Sequence, residues 1–260
     1  MKFLLMLFML CGYGFSALAA EKKIEIETTT DIPTRIHISY TVKTGIGLGE
    51  LNEIVNISQK SDAHTFNISS NAQATGVFKV IKPGNIIRES KGMITDAGLQ
   101  PSVYSDQRAN NEPSLALFDW KNHTLTLRYE GKEIQETLAA GTLDRLSLSY
   151  SFIFSPSDRV EAGNMLDIHV TDGRSLQRIQ YKVSKEKLNT PLGELETIVL
   201  TKQQAGDDKA QRKIWLAPRY HMVPVRIQSI EKDGLEVEKM VAELSLSYPE
   251  NLNNRSCCKH

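Results

Sequence analysis

The residues able to do chemistry are thinly spread, and their spacing matches no standard catalytic set. No serine stands in a Gly-x-Ser-x-Gly elbow, so acyl transfer of that type has no signature. His37, His64, His123, His169 and His221 occur singly. They never share the one-turn spacing that puts two imidazoles on one helix face to hold zinc, and they read as surface or hydrogen-bonded structural histidines. A small set suited to binding remains. Asp144 and Arg145 are adjacent opposite charges at the start of a helix-like segment, with Tyr150 following on the same segment. Trp215 offers a face that stacks on a sugar or lipid, and Arg226 a guanidinium that meets an anion. Each also has a structural account. An Asp in a first helical turn complements the helix dipole, a Trp in an apolar strand belongs to a core, and an Arg opposite Val225 and Ile227 faces solvent. Asp119 ends an apolar alternation and reads as a turn initiator. At the end of the chain Cys257, Cys258 and His260 are soft-metal donors, although a frayed tail whose thiols oxidise is the simpler expectation. No cofactor is implied.

These residues must be held by a β protein. Arg212 to Tyr248 is the densest stretch: Ile214-Trp215-Leu216-Ala217-Pro218 breaks briefly, then Val223-Pro224-Val225-Arg226-Ile227 leads through Asp233-Gly234 into a run ending at Tyr248. Pro224 cannot donate to a ladder, which places it at an edge or a bulge. Leu235 and Val237 are out of phase with Met240, Ala242, Leu244 and Leu246, which predicts a bulge near Glu238-Lys239. Upstream, Ile36, Ile38, Tyr40 and Val42 alternate with polar residues as a half-buried strand does. Gly45, Gly47 and Gly49 follow with no Lys-Ser/Thr after them, so a bend is expected there and not a phosphate loop. Further strands are predicted at 51–58, 65–70, 86–95, 101–107, 114–120, 124–129, 165–170, 176–183 and 195–201. Asp172-Gly173 marks a hairpin.

Residues 143–154 fit two periods. Leu146, Leu148, Tyr150, Phe152 and Phe154 alternate as in a strand, while Leu143, Leu146, Tyr150 and Ile153 recur as in a helix with Thr142 as N-cap. Length and Pro156 favour helix, packed into the mouth of the sheet. The expected fold is mainly β: a strongly curved antiparallel sheet, as an open barrel or two-sheet sandwich, with one short helix at about 142–154 packed on it.

The chain has 260 residues with 31 basic and 31 acidic side chains. That balance gives no electrostatic footprint for nucleic acid. Met1-Lys2, an apolar run to Phe15 and Ala17-Leu18-Ala19 make residues 1–20 a cleaved secretory signal, too short and Gly-interrupted for a membrane span. The expectation is a periplasmic protein with one β-rich domain over 21–249, a polar tail over 250–260 and no transmembrane span in the mature chain.

The order of these landmarks resembles the bacterial envelope family Domain of Unknown Function 3108. The resemblance rests on the Tyr40 strand with its glycines, Thr75-Gly76, Phe118-Asp119, and Asp144 with Ser147 and Tyr150. Gly163, Pro191-Leu192-Gly193 and the Trp215-Leu216 to Pro224-Val225-Arg226-Ile227 signature complete it, over about Ile36 to Leu246. Where the family pattern carries an acidic residue after the Trp, this chain has Arg219. The resemblance implies an exported β-rich protein with a helical insertion, and no established activity. Three functions fit: a non-catalytic carrier of a hydrophobic or envelope-derived ligand in a concave groove, an envelope assembly module that pairs with a protein partner through sheet edges, or an enzyme acting on envelope lipid or polysaccharide.

Overall fold

Only five residues, 138–142, separate the strand that closes one edge of the sheet from the strand that opens the other. A computed structural model describes residues 32–249, apart from 61–62, 77–78, 80–83, 156, 207–208 and 232–233. The signal segment, the Cys257, Cys258 and His260 tail and the predicted domain limits lie outside these residues. The described chain forms strands β1 (Arg35–Thr44), β2 (Gly47–Lys60), β3 (Ala63–Ala74), β4 (Asn85–Thr95), β5 (Gly98–Arg108), β6 (Ser114–Asp119), β7 (Thr124–Tyr129) and β8 (Lys132–Thr137). It continues with β9 (Leu143–Asp144), β10 (Met165–Thr171), β11 (Leu176–Thr190), β12 (Gly193–Lys202), β13 (Gln211–Ala217), β14 (Val223–Ile230) and β15 (Glu236–Ser247).

All fifteen strands belong to one sheet, so the sandwich alternative falls. Two antiparallel meanders, β1–β8 and β10–β15, meet where β1 pairs with β15, and β9 adds in parallel to β10. Laid flat, such a sheet would span about 65 Å at roughly 4.8 Å per strand. The 138–142 link reaches about 20 Å at most. The sheet must therefore curl until its edges approach, and β9 packs against β5.

The helical segment lies inside this curve. Its α-helical turn, α1 (Ser147–Tyr150), contacts β14, and the 3-10 turn Ser151–Phe154 contacts β5, six places away in the sheet order. The predicted helix is thus shorter than expected. Leu143 and Asp144 are a strand, paired to Val170 and Thr171. Thr142 is not the cap, because its hydroxyl donates to the Ala139 carbonyl at 2.7 Å. Asp144 takes that role: its Oδ1 accepts the Leu146 and Ser147 amides at 2.9 and 2.8 Å.

The core runs along the inner face. Ile36, Ile38, Val55, Ile68, Leu125 and Leu148 are buried there with Tyr40, Tyr104, Tyr150 and Tyr181. Pro224 sits at an irregularity in the β13–β14 register, as its missing N–H requires. The bulge in β15 falls at Ala242, the residue left over where Ser39 pairs with Glu243 and Tyr40 with Val241. The phase slip between Val237 and Met240 predicts it near Glu238-Lys239, three residues too early. In fact Val237, Lys239 and Val241 share the inner face. The strand β8 carries no signal in the sequence, since all six of its residues are exposed. Of the three early glycines, Gly45 lies in the β1–β2 turn, and Gly49 leaves no room for a side chain, whose Cβ would stand 2.7 Å from the Gln73 carbonyl oxygen. Asp119 initiates its turn by accepting the Asn122 amide at 2.9 Å.

Candidate functional site

Antiparallel pairing places directly opposed residues on one face, and in β1 to β6 the register aligns one inward row. Ser114 pairs with Asp106, Asp106 with Arg88, Arg88 with Ser70, Ser70 with Glu53, and Glu53 with Ile38. Polar residues fill this row up to Ile38, between apolar rows that contain Val55, Ile68 and Ala116 on one side and Leu51 and Ala72 on the other. Glu53, Ser70 and Asp106 are each only 2% exposed. Arg88 Nε lies 3.3 Å from Asp106 Oδ2, and Arg108 meets the same oxygen at 3.3 Å. The concave face is therefore not purely aliphatic. A belt of charge crosses it.

The helical segment completes this belt. The Tyr150 hydroxyl donates to Glu53 Oε2, while Ser70 Oγ donates to Oε1 at 3.0 Å and Lys239 Nζ lies 3.7 Å from it. Tyr40, beside Tyr150, donates to the Pro224 carbonyl at 2.7 Å. The second oxygen of Asp144, Oδ2, accepts Ser90 Oγ at 2.6 Å and Ser147 Oγ at 2.8 Å. Arg145 Nη2 binds Glu231 Oε1 at 3.0 Å, where Ser229 Oγ also donates at 3.2 Å. On the inner face of the described residues, the Tyr104 and Tyr181 hydroxyls, Asp106 Oδ1, Arg88 Nε and Arg212 Nε are buried with no hydrogen-bond partner, although Arg88 is ion-paired to Asp106. Buried polar groups are nearly always hydrogen-bonded, so each such exception calls for a cause.

Burial sets the electrostatics. It pushes the Asp144 carboxyl up, against the pull of its bonds to Ser90 and Ser147. It raises the Tyr40 and Tyr150 phenols further, with the Glu53 charge adding to the effect. Lys239 moves the other way: burial pulls its ammonium down to about 8 in spite of Glu53, and Arg88, Arg212 and Arg145 add repulsion. Folded Lys239 thus releases its proton near pH 8, whereas an unfolded lysine holds it to about 10.4. Between those values the unfolded chain binds more protons, so stability rises with pH. Above about pH 10 the buried tyrosines reverse the trend, because the folded chain keeps protons that the unfolded chain loses. Melting temperatures taken from pH 7 to 11 should climb and then fall, and Lys239→Met should remove the climb alone. A wild-type profile that is flat from pH 7 to about 10 and only then falls would mean that Lys239 keeps its proton in the fold.

The sequence candidates separate into two places. Asp144 and Tyr150 are in the inner network, as cap and as donor to Glu53. Trp215 and Arg226 form a pair elsewhere. They are directly opposed across β13 and β14, one residue out of phase with Ile214 and Ile227, and Ile227 is opposed to the inward Lys239. Alternation therefore puts both on the outer face, where the Arg226 guanidinium lies 4.6 Å from the Trp215 ring centroid and 2.6 Å from Glu238. Arg226 is accordingly an ion-paired residue stacked on a Trp and not a solvent-facing one. Glu53, Arg88, Asp106, Arg212 and Lys239 went unread. Each is a charged residue in phase with apolar neighbours, as Glu53 is between Leu51 and Val55, and that phase was the signal. Among the described residues no three His, Cys, Asp or Glu side chains come together to hold a metal ion. No described helix is long and apolar enough to cross a membrane.

A single antiparallel sheet curled around a short helical segment, with a charged belt inside, defines a barrel-like class of β protein. The chain belongs within it to the family described as Protein of unknown function (DUF3108), whose model matches residues 35–240. Among solved structures it is similar to the β-barrel-like DUF1849 protein of Brucella abortus, at 8% identity and a TM-score of 0.52, covering 83% of this chain and 99% of that one. That likeness is one of fold. The hypothetical protein CT021 of Chlamydia trachomatis aligns at 9% identity with a TM-score of 0.31, over 82% of this chain and 89% of that one. A DUF1329 family protein of Desulfovibrio piger aligns at 9% identity with a TM-score of 0.24, over 86% and 88%. No curated protein matches the sequence.

Proposed function

We propose that the chain is an exported protein of the cell envelope, carried to the periplasm by residues 1–20, which binds a hydrophobic or envelope-derived ligand without altering it. One observation carries this reading: a groove edged by exposed aliphatic side chains adjoins the inward row of Arg212, whose buried Nε has no partner among the described residues. The β1–β2 and β14–β15 turns meet in an open groove of about 480 Å³ lined by Gly45, Ile46, Gly234, Leu235 and Glu236. Ile46 and Leu48 are 56% and 53% exposed beside it. Together they give the groove an aliphatic margin on which an apolar chain can lie. Ser229, opposed to Arg212 on one side and Val237 on the other, belongs to the last inward row before these turns. Binding is favoured over turnover because Glu53 is engaged with Tyr150, Ser70 and Lys239, Asp144 with its cap donors, and one oxygen of Asp106 with Arg88 and Arg108. A general acid or base must instead reach a substrate proton.

The assembly reading keeps one specific support, the free edge of β8, which has β7 as its sheet neighbour and six exposed residues. Lys132, Glu133 and Glu136 place charge along that edge, a feature that discourages strand addition. Native mass spectrometry of the mature protein purified from its own periplasm, followed by solvent extraction, separates the two. A small mass that is lost on denaturation and recovered in the extract is expected. A bare chain held to a second polypeptide would replace binding with assembly.

A further inference from the structure

Among the described residues Arg212 is the inner cation without an ion pair of its own: Glu231, the carboxylate within its electrostatic reach, is bonded to Arg145. Arg88 has Asp106 at 3.3 Å, Arg145 has Glu231 at 3.0 Å and Lys239 has Glu53 at 3.7 Å. Asp144 spends both oxygens on Ser90, Ser147 and two backbone amides. Arg212, by contrast, reaches Ser149 Oγ at 3.4 Å through Nη2, and its buried Nε meets no acceptor among the described residues. Burial pulls this guanidinium down from its usual range, against the Tyr181 phenol and Glu231, and Arg145 and Arg88 repel it. An uncompensated charge in such a place is costly, and proteins keep one where a ligand supplies the counter-charge.

Two phenols stand with it. Tyr181 pairs with Lys202 on β12, and Thr201 pairs with Lys213, so Arg212 lies level with Tyr181 on the inner face. Tyr181 is fully buried, and its hydroxyl has no partner. Tyr104, on the facing half of the sheet, is in the same condition. Arg145, at the start of the helical segment, stands between the halves within electrostatic reach of both phenols. Two O–H groups, the Arg212 Nε–H and a second guanidinium thus come from opposite walls, all as donors. That is the complement of an oxyanion, and a planar guanidinium fork suits phosphate geometry.

We propose that Arg212, Tyr181 and Tyr104, with Arg145 beside them, bind a phosphate-type oxyanion. The row of Arg212 adjoins the groove lined by Ile46 and Leu235, so an anionic head enters the sheet while an apolar tail covers the groove. This deepens the binding reading above and rests on it.

Isothermal titration of the mature protein with dodecyl phosphate, inorganic phosphate and neutral dodecyl maltoside tests the site. Dodecyl phosphate should bind best. Arg212→Met should weaken it by about ten- to a hundredfold, the loss of one charge-assisted hydrogen bond, while Arg226→Met on the outer face leaves it unchanged. Arg212→Met should also melt above the wild type when ligand is absent, because the unmatched charge is gone. Tyr181→Phe, which removes one hydroxyl at constant shape, gives a second and smaller loss if the methionine variant does not fold. Equal affinity for inorganic phosphate would keep the anion site and assign it to a free anion. Maltoside binding as tight as dodecyl phosphate, with Arg212→Met like wild type, would overturn the anion site but leave a binding protein. Failure of all three to bind would remove both readings.

Discussion

Glu53→Ala should destabilise the fold by about 3–5 kcal/mol, the usual cost of deleting one partner of a buried ion pair. The substitution leaves the Lys239 ammonium inside the sheet without its anion and takes the acceptor from both Tyr150 and Ser70. Those two hydroxyls join β3 and the helical segment to β2, so the loss should loosen the segment as well as the sheet. In a domain of this size the melting temperature should fall by about 10 °C. The charge itself can be separated from the packing. A Glu53→Leu, Lys239→Met double variant removes both charges and fills the space, and should recover most of the stability. If Glu53→Ala melts like the wild type, the carboxylate is solvated and the belt is not a structural network. If the double variant is as unstable as the single one, the hydrogen bonds to Tyr150 and Ser70 dominate over the ion pair.

This network shows where sequence reasoning stops. The strands were legible wherever one face is apolar, because period two then survives in the hydropathy: Ile36, Ile38 and Tyr40 give β1 directly. The turns were legible where chemistry forces them, at Asp172-Gly173 and at Asp119. The belt was not, and the reason is physical. A charged residue reads as outward unless its partner is known, and the partners here are remote in sequence, Glu53 to Tyr150 by 97 positions and Ser90 to Asp144 by 54. Lys239 shows the consequence: it shares the inner face with Val237 and Val241, so the apolar phase changes at Ala242 and not near Glu238-Lys239. The helical segment was ambiguous for a related reason. Its residues from Leu146 to Tyr150 are buried on every side, which erases both periods. The choice between them is made by Asp144, whose side chain caps the segment while its backbone still pairs with β10.

Trp215→Ala should cost about 3–5 kcal/mol, as truncation of a large buried aromatic does. Trp215 is 3% exposed, and Ile214 through Ala217 are all buried, so both faces of β13 are covered at this point. On the inner side the curl of the sheet supplies the cover. The 3-10 turn Pro218–Tyr220 follows and lies against β12, and on the outer side Arg226 lies across the indole ring. Arg226 should then matter through Trp215. Arg226→Met should cost about 1 kcal/mol, the scale of one cation–π contact at a part-exposed site, and the two losses should not add, because the second contact no longer exists once the ring is gone. Chemical denaturation of the two single variants and the double one measures this coupling. Additive losses would show that the guanidinium is held by Glu238 alone. An unchanged melting temperature for Trp215→Ala would show that the ring is exposed, and would return it to the ligand-binding candidates. Trp215 lies on the outer face and Arg212 on the inner one, so Trp215→Ala should leave the dodecyl phosphate affinity of the folded fraction intact while Arg212→Met lowers it.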